Sequence, residues 1–125
     1  RKALPAIALV SDTATLTATG NDYAFDQIFS RQLEALATPG DHLVVITTSG
    51  NSPNILNAVK ASQATGGIKI TALTGRGGGA LASMLGPQDC ELRAPSDSTA
   101  RIQEAHAIIS HCFCDLIDQH DCGEH

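Results

Sequence analysis

Apolar residues are distributed along the chain in two patterns. Runs that are wholly or mostly apolar predict buried strands of a parallel sheet, at 6–10, 42–46 and 68–74. Residues 90–94 predict a further strand at the edge of that sheet. Elsewhere, apolar residues recur at spacings of three and four, which predicts helices at 22–38, 53–65, 80–85 and 99–119. The polar, threonine-rich stretch at 13–20 is assigned neither structure.

Strands and helices alternate along the whole chain. This order is typical of right-handed βαβ crossovers, which place helices on both faces of a parallel sheet. The predicted fold class is therefore α/β, a three-layer doubly wound parallel sheet. With 125 residues the chain is long enough for one core. We assign residues 1–120 to one domain and residues 121–125 to a frayed tail.

The composition narrows the possible functions. A net charge of −5 argues against a broad nucleic-acid interface, which needs a basic face. An anionic small molecule remains possible, because backbone N–H groups can form a local positive site. The cysteines lack the spacing of a disulfide framework and favour a reduced, cytoplasmic protein; they are Cys90, Cys112, Cys114 and Cys122. No apolar run approaches the roughly 20 residues of a membrane span.

The chain opens at Arg1 without an initiator methionine and runs directly into an apolar segment. We therefore expect it to be a segment of a longer polypeptide.

The strongest chemical signal follows the strand at 42–46. This hydroxyl loop, residues 47–52, consists of Thr47, Thr48, Ser49, Gly50, Asn51 and Ser52. In open parallel sheets, ligands bind beyond the carboxyl ends of the strands. Hydroxyl donors, free N–H groups and the positive end of a helix dipole suit a phosphate monoester. The loop lacks the lysine of a nucleotide P-loop. The alternative interpretation is an ordinary turn capped by Ser52, with Pro53 at the first helical position.

Three other features carry weaker signals. The glycine loop, residues 75–79, is either a flexible turn or a second ligand contact. For Asn21 and Asp22, placed at a predicted helix start, a helix cap that complements the helix dipole is favoured over a functional role. His111 lies in an apolar stretch, where a histidine is more often a core residue than a catalyst. The group His111, Cys112 and Cys114 does not predict a metal site, because neighbours at this helical spacing do not converge on one ion.

Several motifs together resemble the sugar-isomerase (SIS) domain family, and within it the phosphoheptose isomerases. They are the hydroxyl loop, Gly20–Tyr23, Phe29–Ser30, Ala72–Gly75 and Ala100–His106. The resemblance covers nearly the whole chain and implies a flavodoxin-like SIS fold. It also implies isomerisation of sedoheptulose 7-phosphate to D-glycero-D-manno-heptose 7-phosphate, a step towards the heptose of lipopolysaccharide.

The resemblance also implies roles for individual residues. Thr47, Thr48, Ser49 and Ser52 match the phosphate-binding loop, and Asn21 and Asp22 match sugar-contacting positions. Gln103 and His111 match a pair beside the reacting carbons, where some members bind zinc, and His111 matches the acid/base histidine. Family members are homotetramers, and groups from a neighbouring subunit are expected to complete the site.

One related protein offers an alternative function. The DnaA initiator-associating protein is a non-enzymatic SIS protein, and it is similar to this chain at 86–89 and 112–118. By resemblance, that protein has an arginine at the position of Ser49 and an asparagine at the position of His111. Because loss of the imidazole removes proton-transfer chemistry, the two residues favour the isomerase. A sugar-phosphate sensor without catalysis is the third hypothesis.

One departure from the family pattern concerns the N-terminal side. The family's glutamate base, its other metal-binding histidine and an Asn-Gly-Gly-Ser sugar loop lie upstream of the position matching Arg1. We therefore expect this chain to carry about half of an active site, and its N-terminal part to be missing.

Overall fold

Three parallel strands form the centre of the protein. The computed structural model describes residues 3–122, without the side chains of the last two. The strands are β1 (His42–Ile46), β2 (Lys69–Gly75) and β3 (Cys90–Ala94), in the order β1-β2-β3. Ala72 of β2 is in register with Val45 on one side and Glu91 on the other. The parallel sheet is therefore confirmed, with β3 at an edge.

Helices cover the two faces of this sheet. On one face lie α3 (Pro53–Thr65) and the short α4 (Gly79–Ala82). Side chains of these two helices and of the strands form a buried cluster that comprises Val45, Val59, Ile70, Ala72 and Leu81. Successive strand residues face opposite sides, so Gly75 faces away from this cluster, towards Ile102 of α5 (Thr99–Cys122). The predicted three-layer α/β architecture is confirmed.

Several elements lie at or near the bounds that local sequence signals predicted. β1, α3 and β3 coincide with the predictions, and Pro53 occupies the first turn of α3. β2 is shifted by one residue, and α4 ends three residues earlier than predicted. α5 continues to Cys122, past the predicted end at 119. Of the tail predicted at 121–125, residues 123–125 lie outside the described part of the chain.

The strand predicted at 6–10 is wrong. These residues form no strand, and the Ile7 side chain is 71% exposed. A parallel strand needs the edge of a neighbour for its backbone hydrogen bonds. Here the Leu9 carbonyl instead accepts a hydrogen bond from Gln32 Nε2 at 3.0 Å, and the Ala8 carbonyl accepts one from Ser11 N–H at 3.0 Å.

Residues 13–36 also differ from the prediction. The threonine-rich stretch is a helix, α1 (Thr13–Asp22), whose N-cap Asp12 accepts hydrogen bonds from two N–H groups of the first turn. The Thr15 hydroxyl, which also donates to that carboxylate, lowers the pKa of Asp12. The helix predicted at 22–38 is interrupted because Ala24 is extended. It is replaced by a 3-10 turn (Phe25–Gln27) and α2 (Ser30–Leu36).

The sheet face that contacts α5 is only partly covered in the described structure. Val44 and Ile46 of β1 point to this face and are 48% and 52% exposed. α5 packs mainly on β2 and β3, and these two side chains of β1 stay about half exposed. The interpretation of β1 as a strand buried on both faces is therefore wrong within residues 3–122.

In that part of the chain, no helix is long and apolar enough to cross a bilayer.

Candidate functional site

The hydroxyl loop leaves the carboxyl end of β1 and folds back on itself. Thr47 is buried, and its Oγ1 lies 3.1 Å from Ser52 Oγ. The same Thr47 oxygen accepts a hydrogen bond from Gly50 N–H at 3.3 Å. The first and last hydroxyls of the loop thus close it into a ring, with Thr48 and Ser49 half-buried between them.

This ring changes the role of Ser52. Ser52 is the N-cap of α3, as predicted, but its side chain makes no capping hydrogen bond. Its hydroxyl pairs with Thr47 instead. Pro53 has no N–H, and Ile55 N–H donates to Asn54 Oδ1 and to the Ser52 carbonyl, so the Asn54 N–H is the amide of the first turn that remains for an anion, together with the helix dipole. The interpretation as an ordinary capped turn is therefore not supported.

Ser49 presents a hydroxyl that can donate. Its Oγ accepts a hydrogen bond from Asn51 N–H at 3.2 Å, and its O–H remains available to a ligand oxygen. A half-buried hydroxyl near a free amide at a helix N-terminus is a donor set suited to phosphate oxygens.

The glycine loop packs directly against the hydroxyl loop. Gly50 (φ +67°) has its Cα against the Gly78 carbonyl, and Gly79 (φ +60°) lies against the Ser49 carbonyl. A Cβ atom at either glycine would overlap the opposite backbone. The glycine loop therefore has a packing role that neither the flexible-turn nor the ligand-contact interpretation included.

An ion pair between Arg93 and Glu91 packs against the glycine loop at Gly78. Arg93 Nη2 lies 2.6 Å from Glu91 Oε2, and Thr74 Oγ1 donates to Glu91 Oε1 at 2.5 Å. The hydrogen bond from Arg93 is the main cause that lowers the pKa of Glu91, and the same bond raises the pKa of Arg93. A Cβ at Gly78 would overlap both charged side chains.

This ion pair makes stability depend on pH. Because the folded state lowers the pKa of Glu91 below about 4.5, the pair stabilises the fold above that pH, and the contribution is lost as pH falls through the folded-state pKa. We expect Glu91→Gln to lower the free energy of unfolding by at most about 1 kcal/mol near neutral pH. The difference should vanish in acid. Urea unfolding of both proteins across this range checks it, and a difference that persists in acid would contradict it.

Asn21 and Asp22 lie at the end of a helix and not at the start of one. Both are exposed and lie in the last turn of α1, where Asn21 Nδ2 donates to Asp22 Oδ1 at 2.8 Å. The capping interpretation is therefore wrong. No hydrogen bond between described residues joins this pair to the hydroxyl loop. The 3-10 turn at 25–27, which contacts both α1 and α3, connects the two regions.

Gln103 and His111 are both exposed on α5. The core interpretation of His111 is therefore wrong. Eight residues separate the two along the helix, which corresponds to roughly 12 Å of rise and about 80° of rotation. Among residues 3–122, no three His, Cys, Asp or Glu side chains are placed to hold a metal ion. Gln103 and His111 therefore do not form a zinc site by themselves.

Two features of the site were not predicted. His106 is the buried histidine, 4% exposed, and its Nε2 lies 2.8 Å from the Thr74 carbonyl, with Nδ1 unpartnered among the described atoms. A cleft of about 450 Å³ also opens beside the hydroxyl loop, lined by Phe25, Asp26, Ser52, Pro53 and Asn54. Asp26 Oδ1 is buried there without a partner in the described structure. No local pattern in the sequence marks Phe25 or Asp26.

Comparison with known proteins places this geometry in a family. A family model described as the SIS domain matches residues 1–75. The chain belongs to the SIS domain family. This SIS domain is 56% identical over 119 residues to the phosphoheptose isomerase of Chromohalobacter salexigens, and 54% to that of Shewanella loihica. Each match covers 95% of this chain and 60% of the relative.

Solved structures agree with the sequence relatives. The phosphoheptose isomerase of Francisella tularensis superposes with a TM-score of 0.92 at 55% identity, covering 95% of this SIS domain and 62% of that chain. The enzyme of Neisseria gonorrhoeae gives 0.87 at 52% identity, covering 90% and 61%. The resemblance and the fold are confirmed, and this SIS domain spans about 60% of the length of these relatives.

Proposed function

We propose that the protein carrying this SIS domain is a phosphoheptose isomerase, which converts sedoheptulose 7-phosphate to D-glycero-D-manno-heptose 7-phosphate for lipopolysaccharide heptose. The observation that carries the proposal is the hydroxyl loop, which offers the Ser49 hydroxyl, the Asn54 N–H and the positive end of the α3 dipole to one anion. Identity above 50% to phosphoheptose isomerases supports it. In this proposal Thr47 and Ser52 shape the loop, and Thr48 and Ser49 contact the phosphate.

The reaction moves a proton between adjacent sugar carbons. One group removes a proton from C1 of the ketose and returns it to C2, while a proton passes from O1 to O2 through an enediol. Holding the distant phosphate orients the reacting end and uses remote binding energy for the chemistry. Asn21 and Asp22 are proposed to contact the sugar hydroxyls, and Gln103 to lie beside the reacting carbons.

His111 is the proposed acid/base group, because a neutral imidazole can both accept and donate a proton. α5 begins near the glycine loop, where Arg76 Nη2 donates to Thr99 Oγ1 at 3.3 Å. His111 lies 12 residues further, roughly 18 Å of rise away from that end. We therefore propose that His111 acts with a phosphate loop of a neighbouring subunit in a homotetramer.

Two further expectations remain proposals. Zinc would need ligands beyond Gln103 and His111, since these two provide half of a tetrahedral set and lie far apart along α5. We therefore assign no step of the reaction to a metal. The cytoplasm is proposed as the compartment on the basis of the cysteine pattern, and exposed Cys90, Cys112 and Cys114 are unpaired in the described structure.

Turnover of the sugar phosphate tests the proposal. We expect the full-length protein to convert sedoheptulose 7-phosphate, with product followed by NMR. Ser49→Ala should raise KM roughly 10–100-fold, because a hydrogen bond to a charged group contributes about 1.5–3 kcal/mol. Ser83→Ala, which removes a hydroxyl that donates to the Ala80 carbonyl at the end of α4, is the control and should leave KM unchanged. Binding without conversion by the wild-type protein would instead support the sensor.

A further inference from the structure

Asn51 is exposed, yet both ends of its side chain are bonded to backbone. Its Oδ1 accepts a hydrogen bond from Ala80 N–H at 2.8 Å, across 29 residues of sequence. Its Nδ2 donates to the Ser49 carbonyl at 3.1 Å. Because the Asn51 side chain is exposed, it does not contribute to the core. Its role in the free protein therefore lies in these two hydrogen bonds.

The same junction is continued by the backbone. Leu81 N–H donates to the Gly50 carbonyl at 3.0 Å, so two consecutive amides of α4 bond to two consecutive residues of the hydroxyl loop. The N-cap of α4, Gly78, has no side chain to satisfy these amides. Leu81 is fully buried, which fixes α4 in the core. The hydroxyl loop is thereby tied to a rigid part of the fold.

Asn51 also determines how Ser49 is presented. The Ser49 carbonyl accepts from Asn51 Nδ2 and its Oγ accepts from Asn51 N–H. With both acceptors held by one residue, the remaining proton of the Ser49 hydroxyl is directed away from Asn51. Ligand donors that are ordered before binding lose less conformational entropy when the ligand arrives.

We propose that Asn51 is a positioning residue for phosphate capture, which links Ser49 to the start of α4 and makes no contact with the phosphate itself. The inference rests on the proposed function, since the ligand is the phosphate of the sugar substrate. It adds a residue whose side-chain donors and acceptors are directed into the protein rather than towards the ligand.

The test compares Asn51→Ala with Gln63→Ala in the full-length protein. Gln63 is a matched control because its amide also bonds to backbone near α4, at the Met84 carbonyl (2.7 Å), but does not contact the hydroxyl loop. Each variant loses side-chain amide hydrogen bonds to backbone, so both should lower Tm by a few degrees, roughly 2–8 °C.

Only Asn51→Ala should change phosphate recognition. We expect KM for sedoheptulose 7-phosphate and the inhibition constant of inorganic phosphate to rise roughly tenfold, while kcat changes little. Hydrogen exchange of the Gly50 amide, which donates to Thr47 Oγ1, and of the Leu81 amide, which donates to the Gly50 carbonyl, should accelerate in ligand-free Asn51→Ala and not in Gln63→Ala.

Two results would overturn the inference. One is unchanged KM and exchange in Asn51→Ala, with normal wild-type turnover; the other is an equal rise of KM in Gln63→Ala. Failure of the proposed function gives a different result, in which wild-type protein neither converts nor binds the sugar phosphate. In that case the phosphate role is also overturned, whereas the exchange measurement still decides whether Asn51 orders the loop.

Discussion

Gly50→Ala is expected to lower the free energy of unfolding by roughly 2–6 kcal/mol. Two costs add. Gly50 has φ +67°, a backbone conformation that residues with a side chain rarely adopt. The new Cβ would also overlap the Gly78 carbonyl. Because that neighbour is backbone, no rotamer change relieves the overlap, and the hydroxyl and glycine loops must separate. Urea unfolding measures the loss, and sugar-phosphate binding should fall with it.

Gly40→Ala separates the two costs. Gly40 also has a positive φ, +100°, but nothing lies within 4 Å of a Cβ built there. It should cost only the conformational part, roughly 1–3 kcal/mol. Equal losses of stability in the two variants would show that the loops do not pack against each other at Gly50.

Elements with local signals were predictable, and those that depend on a distant partner were not. β1 and α3 were predicted to the residue because Pro39-Gly40-Asp41 and Ser52-Pro53 bound the apolar segments. The run at 6–10 has the same apolar composition, but its Leu9 carbonyl bonds to the Gln32 side chain and not to a neighbouring strand. α1 has few apolar residues, so periodicity missed it, although Asp12 is a recognisable N-cap.

The candidate site shows the same division. The composition of the hydroxyl loop predicted an anion site, but not the bond between Thr47 and Ser52 or the bond between Asn51 and Ala80, which depend on how the chain folds back. Asp26 and the cleft beside it arise where the 3-10 turn packs on α3. Such contacts between segments distant in sequence leave no local pattern to detect.

Two of the histidines of α5, His106 and His111, could have been distinguished by helical phase. His106 is four residues after the buried Ile102, about 40° away around the helix, and faces the sheet with it. His111 is nine residues after Ile102, about 180° away, and is exposed. The apolar neighbours of His111 in the sequence suggested burial, whereas its phase relative to Ile102 predicts the opposite.

The proposed acid/base role of His111 can be tested by a single substitution. We expect His111→Gln in the full-length protein to reduce kcat by roughly 10²–10⁴-fold, the usual contribution of a general acid or base. Glutamine preserves size and hydrogen bonding but cannot transfer a proton at neutral pH. Because His111 is exposed on α5, stability should change by no more than about 0.5 kcal/mol, and the phosphate loop should still bind the substrate.

The matched control is His120→Gln, the same chemical change nine residues further along α5. It should retain wild-type kcat, since the resemblance assigns no chemistry to His120. Turnover of sedoheptulose 7-phosphate and direct binding of the sugar phosphate are measured for both variants. If His111→Gln binds the substrate and turns it over at the wild-type rate, His111 transfers no proton in the reaction, and the acid and base must both come from other residues of the full-length protein.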